Sequence, residues 1–301
     1  MAGNENAGTA EFRQKMSPFR EIAILGPGLL GGSLALALTG SANTRLWARR
    51  ADAVAEILEK KIASMASIDL KEVVHGADLI IFCTPVEVMR EIAFQISSHI
   101  LPGTIVTDVG SVKERVLREN GQLFANFVGS HPMAGSEQGG LDAARKDLFE
   151  GAVCILTPDQ STNTLALQKV TAFWDALGCE VQLLSPREHD EIVGAISHLP
   201  HLTASALVRA ATSIPGRPQR FAGQGFRDST RIASGPPPMW AGILLSNRQA
   251  VRTGIRRLIS ELETADSFLE TADEEGLRKF LTEAKTIRDS VRSKQKENGG
   301  I

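Results

Sequence analysis

The chain has 301 residues, 43% of them hydrophobic and 23% charged, and a formal net charge of -2. That mixture belongs to a globular chain with room for two domains rather than to a disordered one, and it carries no basic stripe of the kind that binds nucleic acid or an anionic membrane. No apolar run approaches the roughly 18 residues of a membrane span, and Cys83, Cys154 and Cys179 show no metal-type spacing, so a reducing cytoplasm is the expected compartment.

Residues 1–18 lack the apolar core of a signal peptide and read as a frayed tail. Glu21–Leu25 (EIAIL) is a short apolar run ending at Gly26, the pattern of a buried parallel strand. A glycine turn leads into an Ala/Leu-rich helix that stops near Gly40, followed by a strand at Arg45–Trp47 and an amphipathic helix over Asp52–Ser64. Asp78–Pro85 (DLIIFCTP) contains the strongest strand signal, with a helix over Val88–Ile100 and a strand at Thr104–Val109 behind it. Further strands are expected at Phe127–Gly129, Ala152–Thr157 and Val181–Leu184. Strands alternating with helices predict a Rossmann-type, doubly wound and largely parallel α/β sheet over residues 19–184. Right-handed crossovers place its strand carboxyl ends on one edge.

At Ser185 the pattern changes. Ser185, Pro186 and Glu188 form a helix-start signature, and Pro200 is expected to kink the helix that follows. An apolar stripe runs from Met239 to Leu269, Asp273 caps a last helix to about Arg292, and no strand-like run occurs. Residues 185–301 therefore read as an all-helical domain.

Gly26, Gly28 and Gly31 form G-x-G-x-x-G between a strand and a helix, the context in which this motif binds a dinucleotide pyrophosphate. Gly26, Gly28, Leu29 and Gly31 are the expected cofactor contacts, at a helix amino terminus that offers unpaired N–H groups. The second strand ends in Ala48–Arg49–Arg50 with no carboxylate. Guanidinium groups suit a ribose 2′-phosphate, which favours NADP over NAD, unless Arg49 and Arg50 are simply solvated. The stretch FVGSHPMAGSE, Phe127 to Glu137, reads as a strand that turns sharply at Ser130 and carries an imidazole, His131, on a Pro/Gly-rigidified turn. By itself it fits either a surface histidine or an active-site loop.

Taken together, GPGLLGGS, DLIIFCTPV, TDVGSVK, GSHPMAGSE, ISHLPH and FRDSTRIA resemble the prephenate/arogenate dehydrogenases of tyrosine biosynthesis, in the family's order and over roughly residues 20 to 270. The resemblance implies a nucleotide-binding domain and a helical domain that mediates homodimerisation. It also implies oxidative decarboxylation of a cyclohexadienyl substrate, with hydride passing to NAD(P) and no metal required. By resemblance, His131 is the base that accepts the substrate's hydroxyl proton, and Ser111 sits beside it. Ser111 has a local alternative as the cap of a helix in a capping box with Glu114. Arg231 matches the arginine that pairs with the ring carboxylate, though Asp228 on the same helical face is an alternative partner. Glu137 resembles a gating carboxylate near that arginine. His201 becomes a polar contact to substrate and His198 a neighbour in the cleft, or a buried hydrogen-bonded histidine. Their spacing of three also suits a metal pair, but no third ligand accompanies it. Thr84 and Pro85 line the nicotinamide side. Two other readings compete. A β-hydroxy acid dehydrogenase or imine reductase relies on a lysine or acid where this chain has histidines. A dinucleotide-sensing protein without turnover leaves SHLPH and Arg231 unexplained.

Overall fold

The computed structural model describes residues 17–135 and 138–297. Eight strands form one sheet: β1 (Glu21–Leu25), β2 (Asn43–Trp47), β3 (Met65–Ser67), β4 (Leu79–Phe82), β5 (Ile105–Asp108), β6 (Phe127–Pro132), β7 (Val153–Thr157) and β8 (Glu180–Leu183). Their order is β3-β2-β1-β4-β5-β6-β7-β8. Every neighbouring pair is parallel except β6 and β7. The α/β, largely parallel sheet expected from the sequence is therefore present.

Its central strands are apolar runs because both faces are covered. Along β1, Ile22 and Ile24 pack in one core with Leu34, Leu46, Phe173 and Trp174. Ala23 and Leu25 point the other way, into a core with Phe82, Met89, Phe124 and Phe127. β1 lies between β2 and β4, so the chain order reverses beside it, which is where open α/β sheets bind their ligands. Because β2, β1, β4, β5 and β6 are mutually parallel, their carboxyl ends share one edge.

The connecting helices are α1 (Leu29–Ala37), α2 (Ala51–Glu59), α3 (Leu70–Val74), α4 (Val86–Ile96), α5 (Glu114–Asn120) and α6 (Thr164–Ala176). The helix expected over Asp52–Ser64 stops at Glu59, and Lys61 takes a positive φ of 53° that α-helix cannot continue through. The strand β3 and helix α3 that follow carry no readable pattern; α3 is set by Asp69, whose carboxylate accepts from Lys71 N.

Beyond β8, the described residues hold helices only: α7 (Pro186–Val193), α8 (Leu199–Thr212), α9 (Gln224–Thr230), α10 (Pro237–Ser246), α11 (Arg248–Glu270) and α12 (Glu274–Glu297), with short tight turns between some of them. The capping box of Ser185 and Glu188 is formed. Pro200 falls in the first turn of α8. The turn ahead of it, Gly194–His198, widens to π-type hydrogen bonding, with Leu199 N donating to Gly194 O. Proline has no N–H to give Ile196 and its ring crowds that carbonyl, so the helix opens upstream. The chain divides into two compact units, one ending at Arg248 and one beginning at Gln249. The second consists of α11 and α12, on which Ile259, Leu262, Leu269, Leu281 and Ile287 are exposed.

Candidate active site

At the end of β1 the glycine loop is shaped by backbone alone. Gly26 has φ +118°, and a Cβ there would lie 2.9 Å from Cys83 O. A Cβ on Gly31 would lie 2.0 Å from Gly26 O, so only glycine lets α1 come this close to β1. Gly28, the N-cap of α1, has nothing within 4 Å of a built Cβ. No side-chain hydrogen bond caps α1 and its first turn holds no acid, an amino terminus that suits a phosphate. Across the switch point, at the end of β4, Thr84 Oγ1 is buried without a hydrogen-bond partner among the described residues. Such an orphan costs free energy until a ligand satisfies it. Gly26, Gly28, Leu29, Gly31, Thr84 and Pro85, the N-cap of α4, thus fit a dinucleotide. Arg49 and Arg50 follow β2 on the same edge, both exposed, and Arg50 pairs with Asp52 at 3.2 Å.

His131 is not on a turn. β6 runs on through Pro132, where the sequence pattern stops it at Gly129, because β7 pairs with its second half and sets His131 opposite Ile155. The strand end is fixed by buried charge. Lys113 and Asp108 form an ion pair with both side chains fully buried. Lys113 Nζ also donates to Ser130 O at 2.7 Å, while the Asp108 carboxylate accepts from Ser130 N at 3.2 Å and Gly110 N at 2.8 Å. Desolvating two ions costs several kcal/mol each, and such a pair persists where further hydrogen bonds hold it, as these three do. The residue beside His131 is thereby clamped through both its backbone groups.

His131 Nδ1 lies 2.8 Å from His189 Nε2, and His189 Nδ1 lies 2.8 Å from Asp190 Oδ1. The same carboxylate accepts from Lys113 N at 2.7 Å and Glu114 N at 3.1 Å, the first donors of α5. This corrects the capping box expected of Ser111 and Glu114. The N-cap of α5 is Lys113, no side chain of its own turn caps it, and a carboxylate from α7 meets the orphan N–H groups instead. Ser111 is half-buried in the loop between β5 and α5. Burial holds the His131 imidazole well below the usual histidine range, with His189, Lys113 and His198 adding to the effect. Burial also lowers His189, against an opposing pull from Asp190.

His198 sits in the π-type turn. Asn247 Nδ2 donates to Asp190 O at 2.7 Å and lies 3.1 Å from His198 Nδ1, which must then accept. The proton of neutral His198 is left on Nε2, which is buried without a partner among the described residues. Burial pushes this imidazole down to about 4. His201 stacks flat on Trp240, ring centroids 3.7 Å apart, and Trp240 also meets His198 edge-on. His201 Nδ1 is a second buried ring nitrogen without a partner among the described residues, and its ring is hydrogen-bonded to the backbone of Ile232. Arg231, exposed at the start of the short 3-10 turn Arg231–Ser234, is chain neighbour to this contact.

The structure therefore sets His198 and His201 against Trp240, with His198 close enough to His131 to act on its charge, while Ser111 follows β5, the strand that pairs with β6. Glu137 lies outside the described residues. Sequence reasoning missed Asp108, Lys113, His189, Asp190, Asn247 and Trp240 as parts of the site. Only the His189–Asp190 dipeptide on the buried side of an amphipathic helix gave any signal, and it named no partner. Among the described residues no group of three or more His, Cys, Asp or Glu side chains could hold a metal ion.

Residues 48–183 match the family model "Prephenate dehydrogenase, nucleotide-binding domain" and residues 185–297 match "Prephenate dehydrogenase, dimerization domain". The glycine loop precedes the first matched residue. The chain is 36% identical to the prephenate dehydrogenase of Bacillus subtilis (strain 168) over 289 residues, 91% of this chain and 77% of the relative. Among solved structures it is similar to prephenate dehydrogenase from A. aeolicus in complex with hydroxyphenyl propionate and NAD+, with a TM-score of 0.86 at 30% identity, covering 90% of this chain and 98% of that one. Synechocystis arogenate dehydrogenase is similar with a TM-score of 0.79 at 29% identity, covering 90% and 99%.

Proposed function

Since the chain belongs to the prephenate dehydrogenase family, we propose that it carries out the oxidative decarboxylation of prephenate to 4-hydroxyphenylpyruvate in tyrosine biosynthesis. It is an oxidoreductase with a dinucleotide-binding domain. The observation that carries the reading is a buried imidazole, His131, at the carboxyl end of β6, on the same sheet edge as the glycine loop and the orphaned Thr84 hydroxyl.

When bound, the nicotinamide supplies the hydride acceptor for the ring carbon that bears the hydroxyl. Gly26, Gly28, Leu29 and Gly31 hold the pyrophosphate against the α1 amino terminus, and Thr84 and Pro85 face the nicotinamide side. His131 takes the hydroxyl proton at Nε2, since Nδ1 is engaged by His189. An imidazole kept neutral by burial is a base ready to accept. Ser111 orients the hydroxyl, and Arg231 pairs with the ring carboxylate, where a planar fork matches two oxygens. Glu137 gates that arginine. His198 Nε2 and His201 Nδ1 offer a donor and an acceptor to the rest of the substrate. Decarboxylation leaves its electron pair in the ring, and aromaticity drives the step without a metal. Arg49, and less so the already paired Arg50, favours NADP.

A second reading puts arogenate in place of prephenate, giving tyrosine directly; the likeness to the Synechocystis enzyme favours it. The match of residues 185–297 to a dimerization domain, with exposed apolar residues on α11 and α12, supports a homodimer. Three unpaired cysteines fit a cytoplasmic setting.

Steady-state kinetics with prephenate test the assignment of roles. His131→Asn lowers turnover by roughly 10²–10⁴-fold with a modest change in KM. Arg231→Ala mainly raises KM. The same kinetic defect in both variants contradicts the separate roles.

A further inference from the structure

His189 and Asp190 have no place in the chemistry described so far, yet both are buried and lie in line behind His131. Asp190 Oδ1 faces Lys113 N and His189 Nδ1, and Oδ2 faces Glu114 N, so both oxygens are surrounded by donors. The carboxylate can only accept there, which puts a proton on His189 Nδ1. A neutral His189 then has a bare Nε2, and a bare Nε2 at 2.8 Å obliges His131 to donate from Nδ1. The opposite polarity needs a second proton on His189, in a site where burial opposes the charge.

We infer that His189 and Asp190 are positioning residues that fix His131 as its Nδ1–H tautomer, reserving Nε2 for the substrate, and that the cap of α5 anchors this chain of bonds. The inference rests on the reading of His131 as the base, and it adds what makes Nε2 the basic nitrogen. The logic is that of the aspartate behind the histidine in hydrolase triads, with a second imidazole interposed. Charged or titratable groups face the pair from every side: Asp108 from β5, Lys113 from the start of α5, Cys154 from β7 and His198 from the π-type turn. Asp108, Lys113 and His198 act on how readily the rings charge, but the polarity of the chain is set by Asp190.

The test uses the full-length protein with 15N-labelled histidine, whose six imidazoles are few enough to assign by substitution. At pH 7 the spectrum of His131 is expected to show a proton-bearing Nδ1 and a bare Nε2. In His189→Leu, which removes the acceptor, Nε2–H signal appears at His131 and turnover of prephenate falls by about 10²-fold with KM little changed. His189→Gln puts an amide oxygen close to the position of Nε2 and guards against a folding defect in the leucine variant. It is expected to keep the Nδ1–H signal and to hold turnover within about tenfold of wild type. A bare Nδ1 on wild-type His131, wild-type turnover in His189→Leu, or loss of the Nδ1–H signal in His189→Gln overturns the inference. The ring spectrum needs no substrate. If the wild-type protein does not oxidise prephenate, the proposed function falls while the spectrum still decides the tautomer.

Discussion

At the carboxyl end of β1 the chain makes its site from backbone: Gly26 turns, Gly31 admits the helix, Gly28 faces open space, and the N–H groups of α1 do the rest. At the carboxyl end of β6, three strands along, it makes its site from buried side chains drawn from β5, α5, α7 and the turn around Asn247. The first is local, held by packing, and indifferent to pH. The second is assembled by hydrogen bonds between residues up to 77 positions apart and held by buried charge. The two ends should therefore fail in different ways.

The largest effect is expected at the buried pair. Lys113→Met leaves the Asp108 carboxylate buried without its cation, which costs about 3–5 kcal/mol. Urea unfolding of the apoprotein checks it, and a loss below about 1 kcal/mol would show that the pair is not a clamp. Acid should act on the same end. His198, buried, is held down at about 4, while the unfolded chain takes up its proton near the ordinary 6.5. Stability is thus intact above 6.5 and lost as pH falls toward 4, by about 2 kcal/mol between pH 7 and pH 5 for this ring alone. His131 and His189 shift in the same direction and add to the loss. Unfolding curves at the two pH values read it out; a flat profile would mean that the rings are not buried as neutral imidazoles.

The glycine end should answer to volume. Gly31→Ala drives a methyl into Gly26 O and is expected to destabilise by about 1–3 kcal/mol. Gly28→Ala meets nothing, so stability should stay within about 0.5 kcal/mol of wild type while dinucleotide affinity drops. Thermal unfolding with and without dinucleotide separates the two, and equal destabilisation by both would show that Gly28 is structural. The smallest effect is expected at the exposed arginines. Neutralising Arg49 and Arg50 together should weaken NADP more than NAD in a binding titration, and equal weakening of both would remove the case for a 2′-phosphate site.

What was legible in the sequence follows the same division. The glycine loop, the apolar strands β1 and β4 and the capping box at Ser185 are written in neighbouring residues, and each appears in the structure. His131 was visible as a residue but misplaced on a turn, because Ser130–Pro132 carries no strand propensity and is made a strand only by pairing with β7. The cap of α5 was misassigned to Ser111 for a related reason. The local signature was present, but a carboxylate 77 positions later in the chain took the role. Asp108 and Lys113 read locally as solvated charges, and nothing nearby in the chain names a partner for His189 or Asp190, since burial of a polar residue is decided by contacts that no local pattern names. The resemblance to a known family supplies His131, His198, His201 and Arg231 as expected functional residues, and physical reasoning on the fold supplies the network behind the first of them.

Whether the chain oxidises prephenate is decided by initial rates of reduced-nicotinamide formation for the wild-type protein with prephenate and with arogenate, each with NAD and with NADP. A sustained rise in absorbance with prephenate is expected, accompanied by CO2 release and faster with NADP than with NAD. Flat traces in all four combinations would contradict it.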